Sequence, residues 1–362
     1  MSGSFNPIDE GEWAEQAYIA PTEKLFNAII DEDRATVARL LTQEGLDVNR
    51  RDHVGRTPLQ LAILSKSIDI ACDLIDAGAR MTSRLVDGRT ALHVAAQLDL
   101  PVIVRKLLAR SAVNDEKAKL EEEEKKRAAE KKEDKKMDVD GDEAEDDEED
   151  DEDEEERNSS EDDWSSDDGG KPKKEEKKPK DEGIPEDEQD EPDVFQVDVQ
   201  DWDRALTPLQ YAVIFGSLGA IDELLAAGAD PKLVTNADRY HTKPFHALTL
   251  TVLTRDINVA SEAVKKLVAA GANCSQADVD LFSIFHRVVC AGRAELVEAF
   301  LRNDPNAKAM VNAPVVNASL NITYPLISAL VRHNYATMAV LIANGAKYSF
   351  TEEDFTDARS LK

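Results

Sequence analysis

The stretch DHVGRTPLQLAI at residues 52–63 is answered by VDGRTALHVAA at residues 86–96, with the shared Gly-Arg-Thr at Gly55 and Gly88, 33 residues apart. Farther along, RALTPLQYAVIFGSLGAIDELLAAGADP at residues 204–231 places Thr207, Pro208, Leu209 and Ala212 where Thr57, Pro58, Leu59 and Ala62 stood. Self-similarity at a fixed period of this size is the mark of a repeat architecture. Each unit ends in Ala-Gly-Ala or a variant of it: IDAGA at Ile75, LAAGAD at Leu225, VAAGAN at Val268 and IANGAK at Ile342. Glycine just past a helix end is the expected C-cap. At the other end of the unit, Thr57 can cap the first helix with its hydroxyl while Pro58 takes the first helical position, where its missing N–H costs nothing.

Leu59 and Ala62 fall on one helical face, and small alanines let two short helices pack closely. No single pair buries both of its apolar sides, so stacking is obligatory. The pattern resembles the ankyrin family. That resemblance implies an all-α repeat solenoid, in which each unit is a β-turn finger followed by two antiparallel helices. Seven units are expected. The first, Thr22 to Asn49, has a polar outer helix suited to a terminal cap, and units two and three run to Ser111. Unit four starts near Asp203. Unit five keeps KPFHAL at Lys243–Leu248, unit six has Leu281 in the proline place, and unit seven has Tyr324 in the threonine place. The expected layout is an N-terminal flexible segment at 1–21, repeats one to three at 22–111, a charged insert at 112–197, repeats four to seven at 198–348 and a tail at 349–362.

The insert dominates the charge. Asn114 to Asp193 holds 40 acidic against 16 basic residues, a net of 24 negative out of 30 for the whole chain. So few apolar residues occur there that no core can form, and the composition implies disorder. Its first part, Glu116 to Lys136, pairs glutamate with lysine at i,i+4 spacing and reads as a solvated single helix. An acidic run follows from Asp138 to Asp168, then a lysine patch at Lys171–Lys180. The acidic run suggests capture of histones or other basic proteins, and the lysine patch suggests nuclear import, so the protein is expected in the nucleus or cytoplasm. Ser159, Ser160 and Ser165 each precede an acid by three residues, the pattern of acidophilic kinases.

Chemistry finds no foothold. There is no phosphate-binding loop, nucleophile elbow or zinc-binding helix motif, and the carboxylates lie in solvated runs. No catalytic residue, cofactor, metal, nucleic acid, membrane or small-molecule substrate is expected. Cys72, Cys274 and Cys290 read as free buried thiols. The ankyrin resemblance assigns His93 and His246 to the position where a histidine bridges finger and helix backbone. Recognition by protein partners is therefore the expected function, through finger residues Arg51, His53, Arg56, Arg84, Asp87, Arg89, Arg204 and Tyr240. Arg51 with Arg84, and Arg56 with Arg89, stand one repeat apart and suggest two rows of guanidinium. An eighty-residue coil spans roughly 50 Å, so the acidic run could fold back on them. Two other readings stay open: the targeting portion of a larger enzyme, as in ADP-ribosyltransferases of the tankyrase kind, or a purely architectural scaffold with the insert as a solubilising spacer. If units three and four stack directly, Leu107 and Leu108 belong near Tyr211 and Leu224.

Overall fold

The computed structural model describes residues 21–137, 192–235, 245–277, 282–316 and 322–354. The N-terminal segment, the acidic run, the serines, the lysine patch and Tyr240 lie outside the described residues. Residues 1–115 with 182–362 form one compact unit and Glu116–Asp181 a second. In the second, the described part is helical, with ion pairs from Lys126 to Glu122 and from Arg127 to Glu123.

In the first, seven helix pairs follow one another: α1 (Pro21–Ile30) with α2 (Arg34–Leu41), α3 (Pro58–Leu64) with α4 (Ile68–Asp76), and α5 (Ala91–Gln97) with α6 (Pro101–Met137). Then come α7 (Pro208–Phe215) with α8 (Leu218–Ala226), and α9 (Ala247–Leu250), extended by a 3-10 turn at Thr251–Leu253, with α10 (Ile257–Ala269). The last two are α11 (Ile284–Ala291) with α12 (Ala294–Asn303) and α14 (Pro325–Val331) with α15 (Tyr335–Ala343). Between them lie a short α13 (Ala307–Met310) and a small antiparallel hairpin, β1 (Val315–Val316) with β2 (Ile322–Thr323).

The repeated letters perform the roles their chemistry suggests. Thr57 Oγ1 accepts from Gln60 N at 3.3 Å and Gln60 Oε1 accepts from Thr57 N at 2.9 Å, a reciprocal cap with Pro58 inside it. Thr207 and Gln210 repeat it. At the far end of unit two, Gly78 turns the chain at φ +87°, and the next residue, Ala79, donates back to Leu74 O. Ala229, Ala272 and Ala346 do the same toward Leu224, Leu267 and Leu341, and all four alanines are buried. The Ala-Gly-Ala signature is thus a Schellman turn whose last methyl joins the core. Units one, three and six lack it, and in unit three α6 runs on to Met137.

The core is one continuous cluster from Leu25 to Ala346. Units three and four stack directly. Asp99 Oδ1 accepts from Ala220 N at 3.0 Å, Ser217 donates to Gln97 O, and a Cβ on Gly219 would meet Pro101 Cγ at 3.1 Å. Leu107 and Leu108 join the same cluster as Tyr211 and Leu224. Outer helices are tied by ion pairs: Arg34 to Asp73, Lys106 to Asp76, Arg105 to Glu223 and Lys266 to Asp222. The three thiols are free, Cys274 buried and Cys72 and Cys290 half-buried, and burial pushes all three pKa values up.

Three expectations need correction. The insert was expected to run to residue 197, yet Asp193 already accepts from Met81 N at 3.0 Å and Thr82 N at 2.9 Å, Phe195 N donates to Ser111 Oγ, and Phe195 is buried. In unit five, His246 is the N-cap itself and stands in the threonine place, three residues from the histidine place assigned to it. In unit six, Ser283 caps α11 and Ile284 follows it in the proline place, so Leu281 does not hold that position. The reason is shared: fully buried Leu248 and Phe285 take the place of Leu59 and Leu209, and burial sets the register.

Gly88 has φ +83°, and a Cβ there would sit 2.4 Å from Trp202 N, whereas Ala205, at the same place in the next finger, is held at φ +53° without being glycine. Urea unfolding should therefore show Gly88→Ala destabilising by about 2 kcal/mol or more, and Ala205→Gly stabilising by up to about 1 kcal/mol.

Candidate protein-binding surface

The fingers of units two to four lie side by side. Arg51 Nη1 donates to Gly55 O at 3.0 Å and crosses to Arg84 O at 2.6 Å. One repeat later, Arg84 Nη1 donates to Gly88 O at 2.7 Å and to Gln200 O at 2.9 Å, with its guanidinium 5.4 Å from the Trp202 ring centre. The first guanidinium row is thus a set of staples between successive fingers. The second is neutralised within each finger: Arg56 pairs with Asp52 at 2.7 Å, and Arg89 pairs with Asp87 at 2.7 Å. Arg89 also donates to Gln97 Oε1. Of the residues expected to contact partners, Arg51, Arg84, Arg56, Asp87 and Arg89 are therefore engaged in the fold, while His53 and Arg204 are exposed.

Sequence reading missed the apolar tips. Val54 is 51% exposed, Val86 82% and Trp202 42%, on three successive fingers. A shallow pocket of about 400 Å³ joins Val54, Leu64, Leu85 and Val86 to the Asp203 carboxylate. Among the described residues Asp203 has no ion-pair partner. Leu64 and Phe215 are exposed at the ends of α3 and α7, the first helices of their pairs. The signal was available: an apolar residue at the tip of a polar turn, where solvent should be, repeated unit by unit.

Beneath the fingers a second set of bonds locks unit to unit. Gln60 Nε2 donates to Ser83 O at 2.7 Å and Gln210 Nε2 to Leu233 O at 3.2 Å, each reaching the next finger. His93 takes the same helical position. Its Nδ1 accepts from Thr90 N at 3.2 Å and its Nε2 donates to Leu206 O at 3.1 Å, across the whole insert. His286 accepts from the Ser283 hydroxyl and donates to Ala313 O at 3.0 Å. His93 bridges finger and helix as expected of it; His246 makes a single bond, donating from Nδ1 to Lys232 O of its own finger at 3.3 Å. Both rings must stay neutral, since Nδ1 is an acceptor, and burial first of all pushes both pKa values down to about 4.

Residues 25–118 match the family model for ankyrin repeats (3 copies), and residues 206–236 match that for the ankyrin repeat. The chain is an ankyrin-repeat protein. Its array resembles the crystal structure of the ankyrin repeat domain of Bcl-3, with a TM-score of 0.53 at 18% identity, over 90% of this chain and 99% of that one. At that identity the likeness speaks for the ankyrin fold alone. Among curated relatives, inversin from Danio rerio is 36% identical over 85 residues, 24% of this chain. NF-kappa-B inhibitor alpha from Gallus gallus is 33% identical over 94 residues, 25% of this chain. The matched stretch spans only 8% of inversin and 30% of the inhibitor. The ankyrin units beyond residue 236 are defined by the helix pairs themselves. Ankyrin arrays are typically non-catalytic interaction modules. Among the described residues no group of His, Cys, Asp or Glu could hold a metal, and no helix is long and apolar enough to cross a membrane.

Neutral His93 and His286 make the ankyrin stack acid-sensitive in a defined window. The unfolded chain binds protons near pH 6.5 while the folded rings resist until about 4, so stability is full above 6.5 and falls between those values. Each ring contributes a loss on the order of 3 kcal/mol at pH 4. His93→Gln with His286→Gln, which copies Gln60 and Gln210, should flatten the slope of unfolding free energy against pH in that range.

Proposed function

We propose that the chain is a protein-interaction scaffold whose docking surface is the row of apolar finger tips in units two to four, together with the exposed ends of α3 and α7. The observation that carries this is Val86, held 82% exposed by a finger whose charged residues are already paired. Val54 and Leu64 share a pocket with it, Trp202 and Phe215 add exposed apolar surface in unit four, and Asp203 in the same pocket favours a partner segment with a lysine or arginine beside apolar side chains. Affinity in such a surface concentrates on a few anchors, Trp202 first.

The acidic insert supplies a second function in this reading. With 40 acids against 16 bases between Asn114 and Asp193, it is suited to capture histones or similarly basic proteins independently of the fingers. Phosphorylation of Ser159, Ser160 and Ser165 would deepen its charge, and the lysines at 171–180 would direct import to the nucleus.

Peptides selected from a displayed random library against the intact protein should be enriched in apolar residues flanked by a base, and Val86→Glu should weaken them at least tenfold, read by fluorescence anisotropy. Selection that yields nothing, or peptides indifferent to Val86→Glu, would remove this surface from consideration. Core histones should bind the intact chain and lose binding when residues 138–190 are deleted, with affinity falling steeply as salt rises. Asp193 stays in that deletion because it holds Met81 and Thr82. Equal binding by both forms would reduce the insert to a spacer.

A further inference from the structure

The outer helices of the first five units carry charges that pair from unit to unit, from Arg34–Asp73 through Lys266–Asp222. The last outer helix, α15, carries none: its sequence is YATMAVLIA. Counted from the N-cap, Ala339 stands where Asp222 stands in unit four and Val340 where Glu223 stands. Only Thr337 and Leu341 of α15 are buried. Tyr335 (65% exposed), Ala336, Ala339, Ile342 and Ala343 face outward, and Leu330 and Val331 (71%) at the end of α14 are exposed as well. A helix that is apolar all round is ordinarily buried. The helices of unit one, by contrast, carry Glu23, Lys24, Arg34 and Arg39.

We propose that two copies of this chain pair through their seventh units, with the two α15 helices antiparallel about a twofold axis at Ala339. The order of residue sizes carries the proposal. Antiparallel pairing centred on Ala339 sets Tyr335 against Ala343 of the second copy, Ile342 against Ala336, and Ala339 against itself. Every large side chain meets a small one, so the faces interdigitate at close helix–helix distance. Charge does not oppose the pairing, since the paired stretch from Tyr335 to Ala343 carries no charged side chain. Head-to-tail stacking onto unit one would instead press Glu23 and Arg39 toward an apolar face that offers them no partner, which is costly. An isologous contact closes at two copies. The paired face is one side of a single nine-residue helix, so the association should be reversible in the micromolar range.

Sedimentation equilibrium of the full chain at physiological ionic strength should show one copy passing to two as concentration rises through the micromolar range. Ala339→Arg places two cations on the axis and should hold the chain monomeric, with an unchanged helical spectrum and melting temperature because Ala339 is exposed. Ala339→Glu should do the same, and an equimolar mixture of the two variants should associate again. A wild-type chain that stays monomeric leaves the face to some other protein and overturns the proposal. Dimers that survive Ala339→Arg, species larger than two copies, or a variant mixture that stays monomeric would overturn it too.

Discussion

In units two, three, four and six the structure depends on one side chain, three residues into the first helix, that caps its own helix and reaches a carbonyl of the next finger. Gln60, His93, Gln210 and His286 fill that role. A helix of seven or eight residues is too short to persist alone in water, so its stability comes from what it is tied to. Apolar stacking supplies the driving force and is non-directional. The buried cap-to-finger bond supplies direction, because leaving those groups unpaired costs more than making the bond gains.

That division explains how an ankyrin array tolerates eighty residues of charge in its middle. The insert departs where the Ala-Gly-Ala turn is missing, and the returning chain is caught at once by Asp193 on Met81 and Thr82 and by Phe195 against Ser111. From there the finger of unit four forms, and His93 meets Leu206 as though nothing intervened. Loop closure grows only slowly with length, so a long excursion adds little entropic cost once its ends are pinned.

Most of the fold was legible in the letters because they are local physics: threonine and proline at a helix start, glycine at its end, leucine and alanine on one face. The register of units five and six was not, since Pro244 and Leu281 resemble the motif but Leu248 and Phe285 fill the core, and which residue is buried is a tertiary fact. The site was less legible still. Arg51 and Arg84 look like free guanidinium in sequence, and only the neighbouring finger, one repeat away, shows the carbonyls that bind them. The side chains left exposed on these fingers include apolar Val54, Val86 and Trp202 beside His53 and Arg204, in turns where sequence reading expects polar residues alone.

The most direct test of this account is hydrogen exchange on the intact chain and on His93→Ala, followed by mass spectrometry with peptides covering α5, α7 and α8. If the stack is continuous through His93 and Leu206, protection should fall in α7 and α8 as well as in α5. Loss confined to α5, with α7 and α8 exchanging as in the parent chain, would mean that units one to three and four to seven are independent blocks, and would contradict it.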